Sequence, residues 1–173
     1  MLQLREKEIF KTLQRLQEYN FVIVGGYAVN AYTLARFSVD CDIVVKTKDQ
    51  LEKINKELEK DYKKSDSNKI QTPYKGEFIR YEKELDQSMK VSMDILFKDV
   101  LDRQTNSSFS AEWIFENSKI RELKGKTIPK GFELRIINVD ALIVMKFISC
   151  RKTDIRDVFM LISKAENKKW IKR

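Results

Sequence analysis

Asp40 and Asp42 stand two residues apart in Arg36-Phe-Ser-Val-Asp-Cys-Asp-Ile-Val-Val45, and Asp94 stands in Val91-Ser-Met-Asp-Ile-Leu-Phe97. A carboxylate set among apolar residues protonates, finds a partner or coordinates a metal, because burying it unpaired is costly. In an extended strand Asp40 and Asp42 point to one side and Cys41 to the other. Two neighbouring negative charges then call for a cation. The chain has no histidine, which removes Ser-His-Asp and Cys-His nucleophile systems, histidine general bases and His-ligated zinc. Any metal must be held mainly by oxygen, a donor set that selects magnesium or manganese; magnesium commonly enters a site together with substrate phosphates.

The elements that must position these carboxylates follow from the apolar pattern. Residues 4–19 repeat Ile9, Leu13 and Leu16 at helical spacing, with Phe10 beside them. Phe21 to Val24 reads as a short buried strand, Gly25-Gly26 as a turn, Tyr27 to Leu34 as a helix and Val39 to Val45 as a second strand. Asp49 to Tyr62 carries one apolar stripe of Leu51, Ile54 and Leu58 among charged residues, giving β-α-β-α after the first helix. From Ile70 to Phe97 the pattern turns to strands, with Gly76 to Glu82 and Lys90 to Phe97 as a pair around the polar break Asp86-Gln-Ser88.

Asp99 to Ser110 is mostly polar and is expected to be an exposed connection of the kind that often carries substrate contacts. Beyond it, Trp113 to Phe115 reads as a short helix, and Ile120 to Leu123 and Phe132 to Ile137 as strands. Asn138 is the expected N-cap of a helix running to about Cys150, and Asp154 to Lys164 forms another. The expected class is α+β, a small mixed sheet flanked by helices, in a single domain over residues 1–173.

The totals bound the function classes. With 173 residues, 42% hydrophobic and 35% charged, the chain is long enough for a real core and is not of disordered composition. Its apolar runs are too short to span a bilayer, and the charged start lacks a secretory signal, so a cytoplasmic protein is expected. Cys41 and Cys150 lie in apolar segments without metal-ligand spacing and are expected to be reduced core thiols. The net charge of +8 fits a polyanionic partner and is equally an ordinary route to solubility. Lys168 to Arg173 is a basic tail, and Trp113 and Trp170 read as packing residues.

At Gly25-Gly26, Arg36-x-Ser38-x-Asp40-x-Asp42, Asp94, and Asp140 to Lys146 through Arg151 to Asp157, the chain resembles the minimal nucleotidyltransferases of the polymerase-beta-like superfamily, on the branch of the AbiEii-type toxins. The resemblance runs from about Phe21 to Leu161, and its order and spacing carry more than any single motif. It implies a nucleotidyltransferase fold with 21–97 as the catalytic part and 138–165 as C-terminal helices, and a nucleoside triphosphate such as ATP as substrate. Asp40, Asp42 and Asp94 would be catalytic and would hold Mg2+ or Mn2+, with Asp94 able to accept the attacking proton. Gly25 and Gly26 would admit backbone amides to the phosphates; many relatives have Gly-Ser at this turn, and that hydroxyl is missing here.

Other residues keep two readings each. Lys146 is either a cation reaching the triphosphate or a lysine snorkelling from an apolar helix. Arg36 either binds phosphate or pairs with Asp40 or Asp42, and Ser38 either touches phosphate or bonds locally. Asp154 and Asp157 share a helix face and either organise the site, holding Lys146 or Arg151, or are helix-start charges in a surface ion pair. The acceptor implied is RNA, such as a tRNA end, with a protein hydroxyl or an aminoglycoside-like molecule as alternatives. A catalytically silent domain that binds nucleotide or RNA through a partner, and a toxin acting mainly by complex formation with an antitoxin, are the competing readings.

Overall fold

The structure is a computed structural model that describes residues 2–65, 76–86 and 89–167. The basic tail at 168–173 with Trp170, the strand start expected at 70–75, and Gln87 and Ser88 of the polar break lie outside the described residues. The described elements, in chain order, are α1 (Leu2–Leu16), β1 (Val22–Val24), α2 (Gly25–Asn30), β2 (Asp40–Val45), α3 (Lys48–Leu58), β3 (Lys63–Ser65), β4 (Glu77–Asp86) and β5 (Met89–Phe97). There follow β6 (Asp99–Leu101), β7 (Ser108–Ser110), α4 (Ala111–Glu116), β8 (Ser118–Leu123), β9 (Phe132–Ile137), α5 (Val139–Ser149) and α6 (Lys152–Leu161), the last continued by a 3-10 turn at Ile162–Lys164.

Seven of the described strands form one mixed sheet in the order β3-β4-β5-β2-β1-β9-β8. β2 lies between antiparallel β1 and parallel β5, and β4 closes onto β5 as the antiparallel partner expected from the sequence. This central placement explains why Ile43, Val44 and Val45 are wholly buried and why β-branched residues fill the strand. α1 turns Ile9, Leu13 and Leu16 inward with no exposed surface, and packs against β5 and α3. Each such side chain contributes roughly 1.5–3 kcal/mol of burial free energy. α2 rests on β1, β2 and α5, and α5 packs along α6, so the helices flank the sheet.

Several boundaries move inward for local reasons. α1 stops at Leu16 rather than Tyr19, and α3 at Leu58 rather than Tyr62, each closing in a turn of backbone hydrogen bonds. Thr47 caps α3, its side chain accepting from the Gln50 amide. Asn138 occupies the N-cap position of α5, its carbonyl accepting from the Leu142 amide at 2.9 Å, but its side chain makes no capping bond.

Two expectations are corrected. The segment from Asp99 to Ser110, expected as an exposed connection, is exposed at Arg103 to Asn106 but is built as a hairpin of β6 and β7, closed by Asp102. The Asp102 carboxylate accepts from the Gln104 and Thr105 amides and the Thr105 hydroxyl at 2.8–3.0 Å, an Asx-type closure that polarity alone does not reveal. Cys41 is buried as expected, but Cys150 is exposed. It takes the left-handed conformation (φ 47°) at the C-cap that ends α5 before α6 begins.

Candidate active site

The register of the sheet sets the carboxylates side by side. Asp42 on β2 is opposite Val24 of β1 and Asp94 of β5, and Asp94 is in turn opposite Arg80 of β4. The same row ends on Ser65 of β3. Asp40, two residues before Asp42 and therefore on the same face, is opposite Ser92, whose hydroxyl donates to Asp40 Oδ1. This row forms the floor of a cleft of about 790 Å³ that also reaches Gly25, Gly26, Ser38, Lys146, Arg151 and Asp154. Phe78, Val100 and Phe109 supply an apolar wall at the β4 side.

The crowding has electrostatic consequences. Burial, followed by the charges of Asp94 and Asp40, lifts Asp42 to a pKa of about 7 against the opposing fields of Lys146 and Arg80. Burial also raises Asp94, although Arg80 works against it. Arg80 grips Asp94 with Nε donating to Oδ1 at 2.8 Å and Nη2 to Oδ2 at 2.6 Å, and Nη2 lies 3.9 Å from Asp40 Oδ2. Arg80 was not singled out by the sequence. Its only signal was its place in the alternation from Gly76 to Glu82, which puts it beside Asp94 once the hairpin register is known.

Gly25 ends the strand-to-helix turn in the left-handed region (φ +66°), and a Cβ there would stand 2.1 Å from Asp42 Oδ2. A Cβ on Gly26 would meet Ser38 Oγ at 2.4 Å. Bare backbone therefore faces the aspartates at this turn. Ser38 donates to the Asp40 carbonyl at 3.2 Å, a local bond.

Arg36 pairs with neither Asp40 nor Asp42. Its Nε and Nη2 donate to the two oxygens of Asp157 on α6 at 3.0 and 2.7 Å. Buried Asn30, also missed in the sequence, fixes the Arg36 backbone by accepting from its amide at 3.0 Å and donating to its carbonyl at 2.9 Å. Lys146 does not snorkel. It is 8% exposed, and its Nζ lies 2.7 Å from Asp154 Oδ1 and 2.8 Å from Asp157 Oδ2. Burial would raise Asp157, but hydrogen bonds from Arg36 and Lys146 hold it below the usual carboxylate range. Asp154 also accepts from the Arg151 amide at 3.3 Å, while the exposed Arg151 guanidinium reaches Asp102 at 3.2 Å.

Among the described residues no three acidic or cysteine side chains stand arranged to hold a metal ion. The donor chemistry nevertheless fits a hard divalent ion: Asp40, Asp42 and Asp94 offer only oxygen, and Asp42 has neighbouring negative charges and no ion pair among the described residues. No helix among the described residues is long and apolar enough to cross a membrane.

Comparison with known proteins adds the family. No curated protein matches the sequence. Solved structures that share the fold include a lincomycin-bound lincosamide antibiotic adenylyltransferase, LnuA, at 19% identity and TM-score 0.55, covering 92% of this chain and 98% of that one; the antibiotic-resistance factor ANT(2'')-Ia, at 15% identity and TM-score 0.56, covering 95% and 85%; and a putative nucleotidyltransferase from Thermotoga maritima, at 10% identity and TM-score 0.52, covering 92% and 91%. The family described as the nucleotidyl transferase AbiEii toxin of type IV toxin-antitoxin systems matches residues 11–168, a span that takes in the sheet, the Gly25-Gly26 turn, all three aspartates and both C-terminal helices. The chain therefore belongs to the AbiEii nucleotidyltransferase family and is a nucleotidyltransferase.

Proposed function

We propose that the protein transfers a nucleoside monophosphate from a nucleoside triphosphate to an acceptor, with Asp40, Asp42 and Asp94 as the catalytic carboxylates. The observation that carries this reading is the row in which Asp42 and Asp94 are direct cross-strand neighbours on the floor of the cleft, with Asp40 on the same face. These three residues would hold Mg2+ or Mn2+. When bound, such an ion neutralises triphosphate charge and stabilises the entering and leaving oxygens of an in-line displacement.

The chain's own groups account for the rest. Gly25 and Gly26 present side-chain-free backbone to the phosphates, since any Cβ there would collide with Asp42 or Ser38. On the cleft's helical side Lys146, paired with Asp154 and Asp157, and Arg36, paired with Asp157, are the cationic groups that would face the anionic triphosphate, their charge offset by the two carboxylates. Asp94 takes the proton of the attacking hydroxyl as the new acceptor oxygen to phosphorus bond forms. The bond between the α-phosphorus and its bridging oxygen breaks, and pyrophosphate leaves. Ser38 bonds locally and serves the shape of the β2 entry.

The acceptor proposed is RNA, with the +8 charge in its support. Two of the structural neighbours are named for antibiotics, LnuA as a lincosamide adenylyltransferase and ANT(2'')-Ia as a resistance factor, while another is named only as a putative nucleotidyltransferase; an antibiotic-type small molecule is the alternative acceptor. The family's toxin-antitoxin description supports an antitoxin as partner. The test is incubation with each α-labelled nucleoside triphosphate, Mg2+ or Mn2+, and separate pools of RNA, protein and lincosamide or aminoglycoside, alongside Asp40→Ala. Label entering one pool with wild type alone is expected; pyrophosphate release equal in Asp40→Ala would overturn the site.

A further inference from the structure

Asp94 is only 3% exposed, yet its carboxylate is fully engaged by a guanidinium that comes from the neighbouring strand and is itself 37% exposed. A buried carboxylate without a cation is costly, whereas a guanidinium at a cleft wall can return to solvent cheaply. The same Arg80 Nη2 leans toward Asp40, and the ring of Phe78 lies 5.8 Å from its guanidinium carbon, close enough to keep a displaced side chain in the cleft. We propose that Arg80 is a built-in stand-in for the divalent cation: it satisfies Asp94 while the site lacks metal, and metal binding must displace it from the carboxylate. This rests on the assignment of Asp40, Asp42 and Asp94 as metal ligands proposed above.

The arrangement has two consequences that a purely structural salt bridge does not share. Metal binding in the absence of nucleotide is weakened by competition with Arg80. Loss of Arg80 also leaves Asp94 uncompensated, so that metal then stabilises the fold more than it does in wild type.

The experiment is Mn2+ binding without nucleotide, read by the free-ion electron paramagnetic resonance signal, on the full chain as wild type, Arg80→Gln and Arg80→Lys, with Tm measured in chelator and in Mn2+. Arg80→Gln is expected to bind Mn2+ about tenfold more tightly and to gain more in Tm from Mn2+ than wild type. Arg80→Lys keeps the charge but loses the two-pronged grip and falls between; it carries the test if the Gln variant does not fold. Mn2+ affinity and Tm gain no greater in either variant than in wild type would overturn the inference and leave the metal site standing. No Mn2+ binding by wild type or variants, even with a nucleoside triphosphate bound, would overturn the metal site and the inference together.

Discussion

Arg36 and Asp157 are joined by two hydrogen bonds of 3.0 and 2.7 Å, although 121 residues separate them in the chain. The pair ties the segment entering β2 to α6, so the strand that carries Asp40 and Asp42 is positioned from the far end of the sequence. Asp157 also accepts from Lys146, and one buried carboxylate thus joins α5, α6 and the approach to β2.

Removing the cation at the centre of that network should unfold part of the site. Lys146→Met leaves buried Asp157 to Arg36 and buried Asp154 to the Arg151 amide, and is expected to cost about 3–5 kcal/mol, the scale for breaking a buried pair on one side. Chemical denaturation is the measurement. A loss below about 1 kcal/mol, the scale of an exposed pair, would show that Lys146 is solvated in solution.

The aspartates themselves should be dispensable for folding. Asp40 makes a side-chain hydrogen bond with Ser92 and a long contact to Arg80 at 3.9 Å, so Asp40→Ala removes little packing. Transfer should fall by at least about 10²-fold, the scale of losing one electrostatic contact to charge developing in the transition state. Single-turnover kinetics with unchanged far-ultraviolet circular dichroism is the check; wild-type rates would remove Asp40 from the catalytic set.

Much of this arrangement was legible in the sequence because short-range rules fix it. Alternation puts Asp40 and Asp42 on one face of β2, and the apolar stripe of α1 predicts its buried residues. What stayed hidden depends on pairing between distant segments. Arg36 reads in the sequence either as a phosphate ligand or as a partner for the nearby aspartates, and only the placement of α6 shows that Asp157 pairs with it. Arg80 gained a role from the β4–β5 register, and Asp102 turned a polar stretch into a hairpin through bonds to its own backbone. Neither the β4–β5 register nor the backbone bonds of Asp102 can be read from composition or periodicity alone.

The turn at Gly25 should tolerate no side chain. Gly25→Ala combines a left-handed backbone, which costs about 1–2 kcal/mol for an L-residue, with a Cβ that would stand 2.1 Å from Asp42 Oδ2. Asp42 must move, so activity should be lost together with a modest fall in Tm. Gly26→Ala needs no left-handed backbone and meets the Ser38 side chain, with Oγ at 2.4 Å and Cβ at 3.1 Å, and Arg36 Nη2 at 3.4 Å; the hydroxyl can rotate and the two flexible side chains can give by a few tenths of an ångström, so it is expected to be the milder variant in both assays. Equal losses would show that the turn acts through something other than Asp42.

A final prediction concerns acid stability away from the cleft. Asp61 accepts from Arg15 at 2.8 Å and from Lys83 at 2.7 Å, and Lys83 also reaches Glu8 at 2.7 Å, joining α1, β4 and the end of α3. Burial works to raise Asp61, but the two cations outweigh it and hold the group below its ordinary value. Because the folded state binds the proton less readily than the unfolded state, the contribution is complete above about pH 4, the unfolded carboxylate range. It fades as pH falls through the lower folded value. Asp61→Asn should therefore be less stable than wild type at pH 7 by about 1 kcal/mol or less, since the group is partly exposed, and the two curves should converge in acid. Urea titrations at pH 7 and near pH 3 test this; a gap that widens in acid would mean that the proton binds the folded state more tightly and that Arg15 and Lys83 do not govern Asp61.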